Sequence, residues 1–257
     1  MRSRHAFWAA SMTLILAACG GEAASTTTSS PVSSTTPPGA TQPSTTIVTT
    51  TTSTSGAGRA TTTISGTLPG ERIDFGPAAG DTVAVIGVAH DDVLNLRAAP
   101  GADQRILERI PPLYDSLIAL GHTRDLSTSF WIEVEYRGST GWVNYRYIAF
   151  LGETTDVTAS VIEALGETPS AATMLELGLI VAESMASEEP ESDIVLTSAP
   201  EVRDLGEVTY DVIGLGDDAV RGLRLHVFGQ RDGGGFTLRT VEMTALCGRG
   251  EDGGACV

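Results

Sequence analysis

The 257-residue chain contains no lysine: all 16 basic residues are arginine, set against 32 Asp and Glu, for a formal net charge of -16. A surface of that sign is repelled by nucleic-acid phosphates and by anionic lipid headgroups, so nucleic acid is excluded as a partner on charge. The missing lysine reads as base-composition bias rather than as a device, although a guanidinium offers bidentate contacts that an ammonium lacks. Histidine is nearly as scarce, at positions 5, 90, 122 and 226 only, and the cysteines are Cys19, Cys247 and Cys256. A Cys–His peptidase needs a free thiolate beside an imidazole, and this inventory leaves little to build one from. Also missing are a Gly-x-Ser-x-Gly elbow, a His-x-x-x-His helix and a phosphate loop. Gly214-Leu215-Gly216 lacks the rest of a dinucleotide fingerprint. Asp217-Asp218 and the acidic run Glu188–Asp193 offer carboxylate oxygens to Ca2+, but such runs are more often solvated caps or loops. Nor do isolated acidic pairs make a glycosidase without a cleft or an aromatic sugar platform beside them. The expectation is a protein with no catalytic residues, no cofactor and no metal.

What is present begins with an address. Met1-Arg2-Ser3-Arg4 is a short basic segment, and Ala6–Leu16 is apolar apart from Ser11 and Thr13. That is too short for a bilayer, which needs ~20 apolar residues, and suits a signal peptide. It ends in Leu16-Ala17-Ala18-Cys19, which resembles the lipobox of bacterial lipoproteins. The resemblance implies cleavage after Ala18, a diacylglyceryl group on Cys19 and anchoring to the outer face of the cell membrane, where two or more acyl chains hold stably.

From Gly20 to about Thr67 the chain is Thr, Ser, Ala, Gly and Pro, with only Glu22 and Arg59 charged. Too few large apolar side chains are available to offset ordering entropy, so a disordered tether is expected. A coil of that length spans roughly 35–40 Å. It is either a plain spacer or an O-glycosylated stalk.

The composition changes near Asp81. Thr82–Val88 reads as a buried strand, Val93–Arg97 as an extended run closed by Ala98-Ala99-Pro100-Gly101, and Ser116–Gly121 as another strand. Trp131–Tyr136 alternates bulky and acidic residues, Arg137–Gly141 reads as a hairpin loop, and Trp142–Tyr145 resumes the sheet. Several short strands with close turns argue for a small barrel. Leu94-Asn95-Leu96-Arg97-Ala98-Ala99-Pro100-Gly101 is similar to the opening of bacterial SH3 domains. Trp131-x-x-Val134, Gly138, Gly141-Trp142-Val143 and Tyr147-Ile148 resemble that family's closing half. The likeness covers about residues 80–151. Ala98-Ala99, the bulky Ile110–Tyr114 turn and a long Thr123–Phe130 loop depart from the plainest members.

The resemblance implies a non-catalytic barrel that binds peptidoglycan peptides or an envelope protein. Its candidate surface combines Arg97, Tyr114, Trp131, Trp142, Tyr145 and Tyr147, with Arg97 taking a peptide carboxylate. Other readings stay open: Trp131 and Trp142 as core, and Arg97 bonding backbone carbonyls of its own loop. Tyr145 and Tyr147 share strand parity and are expected on one side, with Arg146 on the other.

After Gly152 the pattern predicts a small α+β domain. Thr168-Pro169 reads as a helix start, and Met174, Leu177, Val181 and Met185 recur as a core stripe of one long helix. Strands are expected at 194–197, 207–212, 223–228 and 236–241, with Leu223, Leu225 and Val227 facing the helix and Arg224 and His226 facing solvent. With Cys19 taken by lipid, Cys247 and Cys256 form an even pair across a Gly-rich segment and are expected to be disulfide-bonded in an oxidising compartment. A redox or metal site is the alternative.

The fold class expected is therefore mainly β: residues 1–18 a signal peptide, 19–67 a tether, 68–152 an SH3-like barrel and 153–257 an α+β domain. The function expected is that of a lipid-anchored envelope binding module, with a spacer or inhibitor of a partner enzyme as the alternative.

Overall fold

A computed structural model describes residues 67–203 and 205–257; the expected signal peptide, Cys19 and all but the last residue of the expected tether lie outside the described residues. The barrel strands are β1 (Glu71–Ile73), β2 (Thr82–Val85), β3 (Leu94–Arg97), β4 (Ile106–Ile110), β5 (Leu117–Asp125), β6 (Phe130–Tyr136) and β7 (Ser139–Asn144). A 3-10 turn at Tyr145–Tyr147 leads into β8 (Ile148–Asp156). There follow α1 (Thr158–Leu165), β9 (Ser170–Ala171), α2 (Met174–Met185), β10 (Asp193–Val202), β11 (Gly206–Ile213), β12 (Val220–Asp232) and β13 (Gly235–Cys247), with a terminal hairpin of β14 (Glu251–Asp252) and β15 (Ala255–Cys256). The chain is mainly β, and no helix among the described residues is long and apolar enough to cross a membrane.

Period-2 alternation builds the barrel core. Leu94 and Leu96 of β3, Ile132, Val134 and Tyr136 of β6, and Val143 of β7 bury one face together with Val83, Val85, Leu117 and Ile148. Each such aliphatic side chain contributes about 1.5–3 kcal/mol on burial. The hairpin between β6 and β7 is tighter than the five-residue loop expected. Arg137 and Gly138 alone form it, at φ 50° and 82°, the pair of positive angles that a two-residue turn needs to match strand twist.

The C-terminal half is an antiparallel meander, β10-β11-β12-β13. One face, with Val208, Tyr210, Val212, Leu223, Leu225, Val227 and Val241, packs on α1 and α2. The Met174–Leu177–Val181 stripe is buried in this core. Two helices replace the single long one expected. The predicted start at Thr168-Pro169 is overridden by the sheet: the Pro169 carbonyl accepts from Leu238 N–H, and Ser170–Ala171 pairs with Thr237 and Phe236. The α2 helix starts at Thr173, where a capping box joins the Thr173 hydroxyl to Glu176 N–H and the Glu176 carboxylate to Thr173 N–H. The α1 helix closes on Gly166 in the left-handed conformation.

The halves share one sheet. Strand β8 pairs with β2 through Ile148 and Ala149 and with β13 from Phe150 to Asp156, so it runs across position 152. Ile86, Ala149 and Leu246 form a small core at this seam. The expectation that Arg224 faces solvent fails here. Its guanidinium donates from Nε and Nη2 to the two oxygens of Asp211, at 2.8 and 2.9 Å, and from Nη2 to the Val85 carbonyl. Asp211 also accepts from Gly87 N–H at 2.9 Å. The second face of the meander is thereby tied to the barrel rather than to water.

Candidate functional site

Strand register arranges the barrel's outward face. Arg97 of β3 lies opposite Trp142 of β7, and Trp142 opposite Glu133 of β6; one step along, Asn144 lies opposite Trp131. By parity these residues stand on the face away from Ile132, Val134 and Val143. Trp131 and Trp142 are nevertheless 4% and 3% exposed, so they are buried on the outer side of the sheet. Trp131 Nε1 donates to the Ser129 hydroxyl at 2.9 Å.

Against this face lies a cleft of about 470 Å3 lined by Gly87, Val88, Ala89, Asp92, Val93, Leu94, Asn95, Arg97, Ala102, Trp131, Asn144, Tyr147 and Val195. That size falls within the range of small-ligand clefts, ~300–1,000 Å3. The walls are mixed: an aromatic surface from Trp131 and Tyr147, amides from Asn95 and Asn144, a carboxylate from Asp92 and a guanidinium from Arg97. Arg97 Nη1 donates to the Gln104 carbonyl at 2.7 Å, which fixes the side chain and uses one of its five N–H donors. Arg97 thus bonds a backbone carbonyl of its own loop and also lines the cleft. Val195 enters from β10 of the C-terminal half, and His90 N–H donates to the Leu196 carbonyl at 2.9 Å, so that strand closes one side.

Three of the six expected surface residues, Arg97, Trp131 and Tyr147, meet here. The others do not, which corrects the single surface expected. Trp142 is buried. Tyr114 packs edge-on against Tyr136 at 4.9 Å, with the Arg137 guanidinium 5.9 Å from its ring, beside the β6–β7 turn. Tyr145 is buried, and its hydroxyl donates to the Gly248 carbonyl. The strand-parity expectation for Tyr145 and Tyr147 fails because Asn144 ends β7: its side chain accepts from Arg146 N–H at 2.9 Å and winds the chain into the 3-10 turn. Asn95 and Asn144 were legible in principle, since they share parity with Arg97 and Trp131. Val195 was not, being set by long-range packing.

The remaining candidates are structural in geometry. Cys247 and Cys256 are bonded, with Cα atoms 5.0 Å apart. Asp217 accepts from Ala219 and Val220 N–H, and those bonds, with Arg249 nearby, hold its carboxyl below the ordinary range. Among the described residues no three His, Cys, Asp or Glu side chains group as metal ligands. His122 Nδ1 meets the Glu133 carboxylate at 2.5 Å on the barrel's exterior.

No curated protein and no solved structure matches the chain. Residues 92–149 match the family model described as Bacterial SH3 domain. That segment supplies every residue of the cleft except Gly87, Val88, Ala89 and Val195, and the part of the chain built around Arg97 is a bacterial SH3 domain.

Proposed function

We propose that the chain is a non-catalytic cell-envelope protein, exported and held by lipid on Cys19 at the outer face of the membrane, whose Arg97 cleft binds a peptidoglycan peptide or an envelope protein. Bacterial SH3 domains commonly bind peptidoglycan or proteins. The observation that carries the reading is the convergence of Arg97, Trp131 and Tyr147 on one cleft of ligand size inside the matched segment. A guanidinium already oriented by the Gln104 carbonyl suits a peptide carboxylate, while the aromatic walls supply contact area at low entropic cost.

The test is co-sedimentation of residues 20–257 with insoluble peptidoglycan, at low and moderate salt. Binding should saturate and should fall about tenfold or more in Arg97→Ala, with circular dichroism showing the variant folded. Binding equal to that of a control protein, with capture of an envelope protein instead, transfers the cleft to a protein partner. Loss of that capture on removing only residues 156–257 supports the spacer or inhibitor reading. Activity on wall fragments that disappears with one carboxylate contradicts the non-catalytic reading.

A further inference from the structure

Phe75 and Phe130 are the two exposed aromatic side chains among the described residues, 43% and 40% exposed, and they touch: their rings lie 5.5 Å apart. In a chain only 5% aromatic, the two exposed rings among the described residues lie side by side, tilted 49° to each other. Phe75 comes from the segment after β1 and is fixed at its backbone, where its carbonyl accepts from the buried Thr123 hydroxyl at 2.5 Å. Its ring also meets Tyr145 edge-on at 5.2 Å. Phe75, though not Phe130, lines a depression of about 400 Å3 together with Tyr145, Asp217, Asp218, Arg221 and Arg249. None of its lining residues belongs to the Arg97 cleft.

The polar groups are held before any ligand arrives. Arg221 lies over the Tyr145 ring at 4.1 Å and donates from Nη1 to the Tyr145 and Ile148 carbonyls, each at 2.7 Å. Arg249 pairs with Asp218. Asp217 is fixed through Oδ1 by the two backbone N–H groups of its turn. Two carboxylates and two guanidiniums cancel, inside a chain whose net charge is -16. A locally neutral rim selects no ion. It does present acceptors and donors side by side, which is what hydroxyl groups need, since each hydroxyl both donates and accepts.

We propose that this depression is a carbohydrate-binding site for a neutral oligosaccharide. The apolar face of one pyranose ring stacks on Phe75 and its hydroxyls donate to Asp217 and Asp218 and accept from Arg249, while the next sugar unit reaches Phe130 outside the depression. The ligand is distinct from the peptide assigned to the Arg97 cleft, and the site stands or falls separately from it.

The experiment is calorimetric titration of residues 20–257 with three probes: a β-1,4-linked N-acetylglucosamine hexamer, a cello-hexamer and a mannohexaose. Saturable binding of at least one is expected. It should weaken about tenfold or more in the Phe75→Ala/Phe130→Ala double variant and in Asp218→Ala, survive in Phe75→Tyr and be unchanged in Arg97→Ala. All the altered side chains except Arg97 are exposed, and near-ultraviolet circular dichroism checks that each variant is folded. Failure of all three probes, binding indifferent to both Phe75→Ala/Phe130→Ala and Asp218→Ala, or binding lost in Arg97→Ala each overturns the site.

Discussion

Asp211 is fully buried, at 0% side-chain exposure, against Arg224 at 12%. A buried carboxylate is tolerable only when its oxygens are fully used. Here they accept from Arg224 Nε and Nη2 and from Gly87 N–H, while Arg224 reaches on to the Val85 carbonyl. Those contacts bridge β11 and β12 of the C-terminal half to the end of β2. Asp211→Ala leaves an uncompensated guanidinium and a bare backbone N–H at the seam. Chemical denaturation should show a loss of about 3–5 kcal/mol; a loss below about 1 kcal/mol would mean that the pair is not what joins the halves. Nothing local in the sequence distinguished Arg224 from an outward-facing strand residue. Its neighbours Leu223 and Leu225 correctly placed the helix-facing side, but what covers the other side depends on β2, more than a hundred residues earlier.

At the scale of elements, the strands of the C-terminal meander are legible, whereas β1, β4, β8, β9, the far end of β5 and the helix boundaries are not. Expected strands at 194–197, 207–212, 223–228 and 236–241 all lie inside β10 to β13, because alternation of β-branched and leucine side chains with polar ones is a strong signal. Thr168-Pro169 misled because proline at a first helical position is only permitted, not required, to start a helix. The signal actually used, Thr173-x-x-Glu176, is the capping-box pattern. Gly152 misled in another way. It looked like a break between domains, yet it sits inside β8, where a Cβ would come within 2.7 Å of the Gly254 carbonyl and 3.2 Å of Cys247 Sγ. The glycine admits the disulfide-closed tail against the strand. Gly178, in the middle of α2, follows the same logic: a Cβ there would lie 2.6 Å from both the Tyr210 ring and Val208. Helix propensity alone favours Gly178→Ala by about 1 kcal/mol, whereas overpacking against a sheet costs about 1–3 kcal/mol. The variant should be destabilised by about 1 kcal/mol in thermal or urea unfolding. A stabilised protein would show that α2 can move off the sheet.

Across the whole molecule, the SH3-like segment and the C-terminal half form a single sheet through β8. Motif reading found the barrel because its landmarks, Leu94 to Gly101 and Trp131 to Ile148, are local. It could not find that β10 supplies a wall of the cleft, because Val195 and Arg97 come together only when β8 joins the halves. The candidate surface is accordingly half legible: Arg97, Trp131 and Tyr147 follow from the motifs and Asn95 and Asn144 from strand parity, while Asp92 and Val195 come from the fold. The most direct test of the cleft is a titration of 15N-labelled residues 20–257 with a soluble peptidoglycan stem peptide, followed residue by residue in amide spectra. Saturable shifts are expected at Asn95, Arg97, Asn144 and Val195, with Tyr114 and Arg137 unmoved. Shifts confined to the Tyr114–Arg137 side, or none at saturating peptide, would contradict the Arg97 cleft as the peptide site.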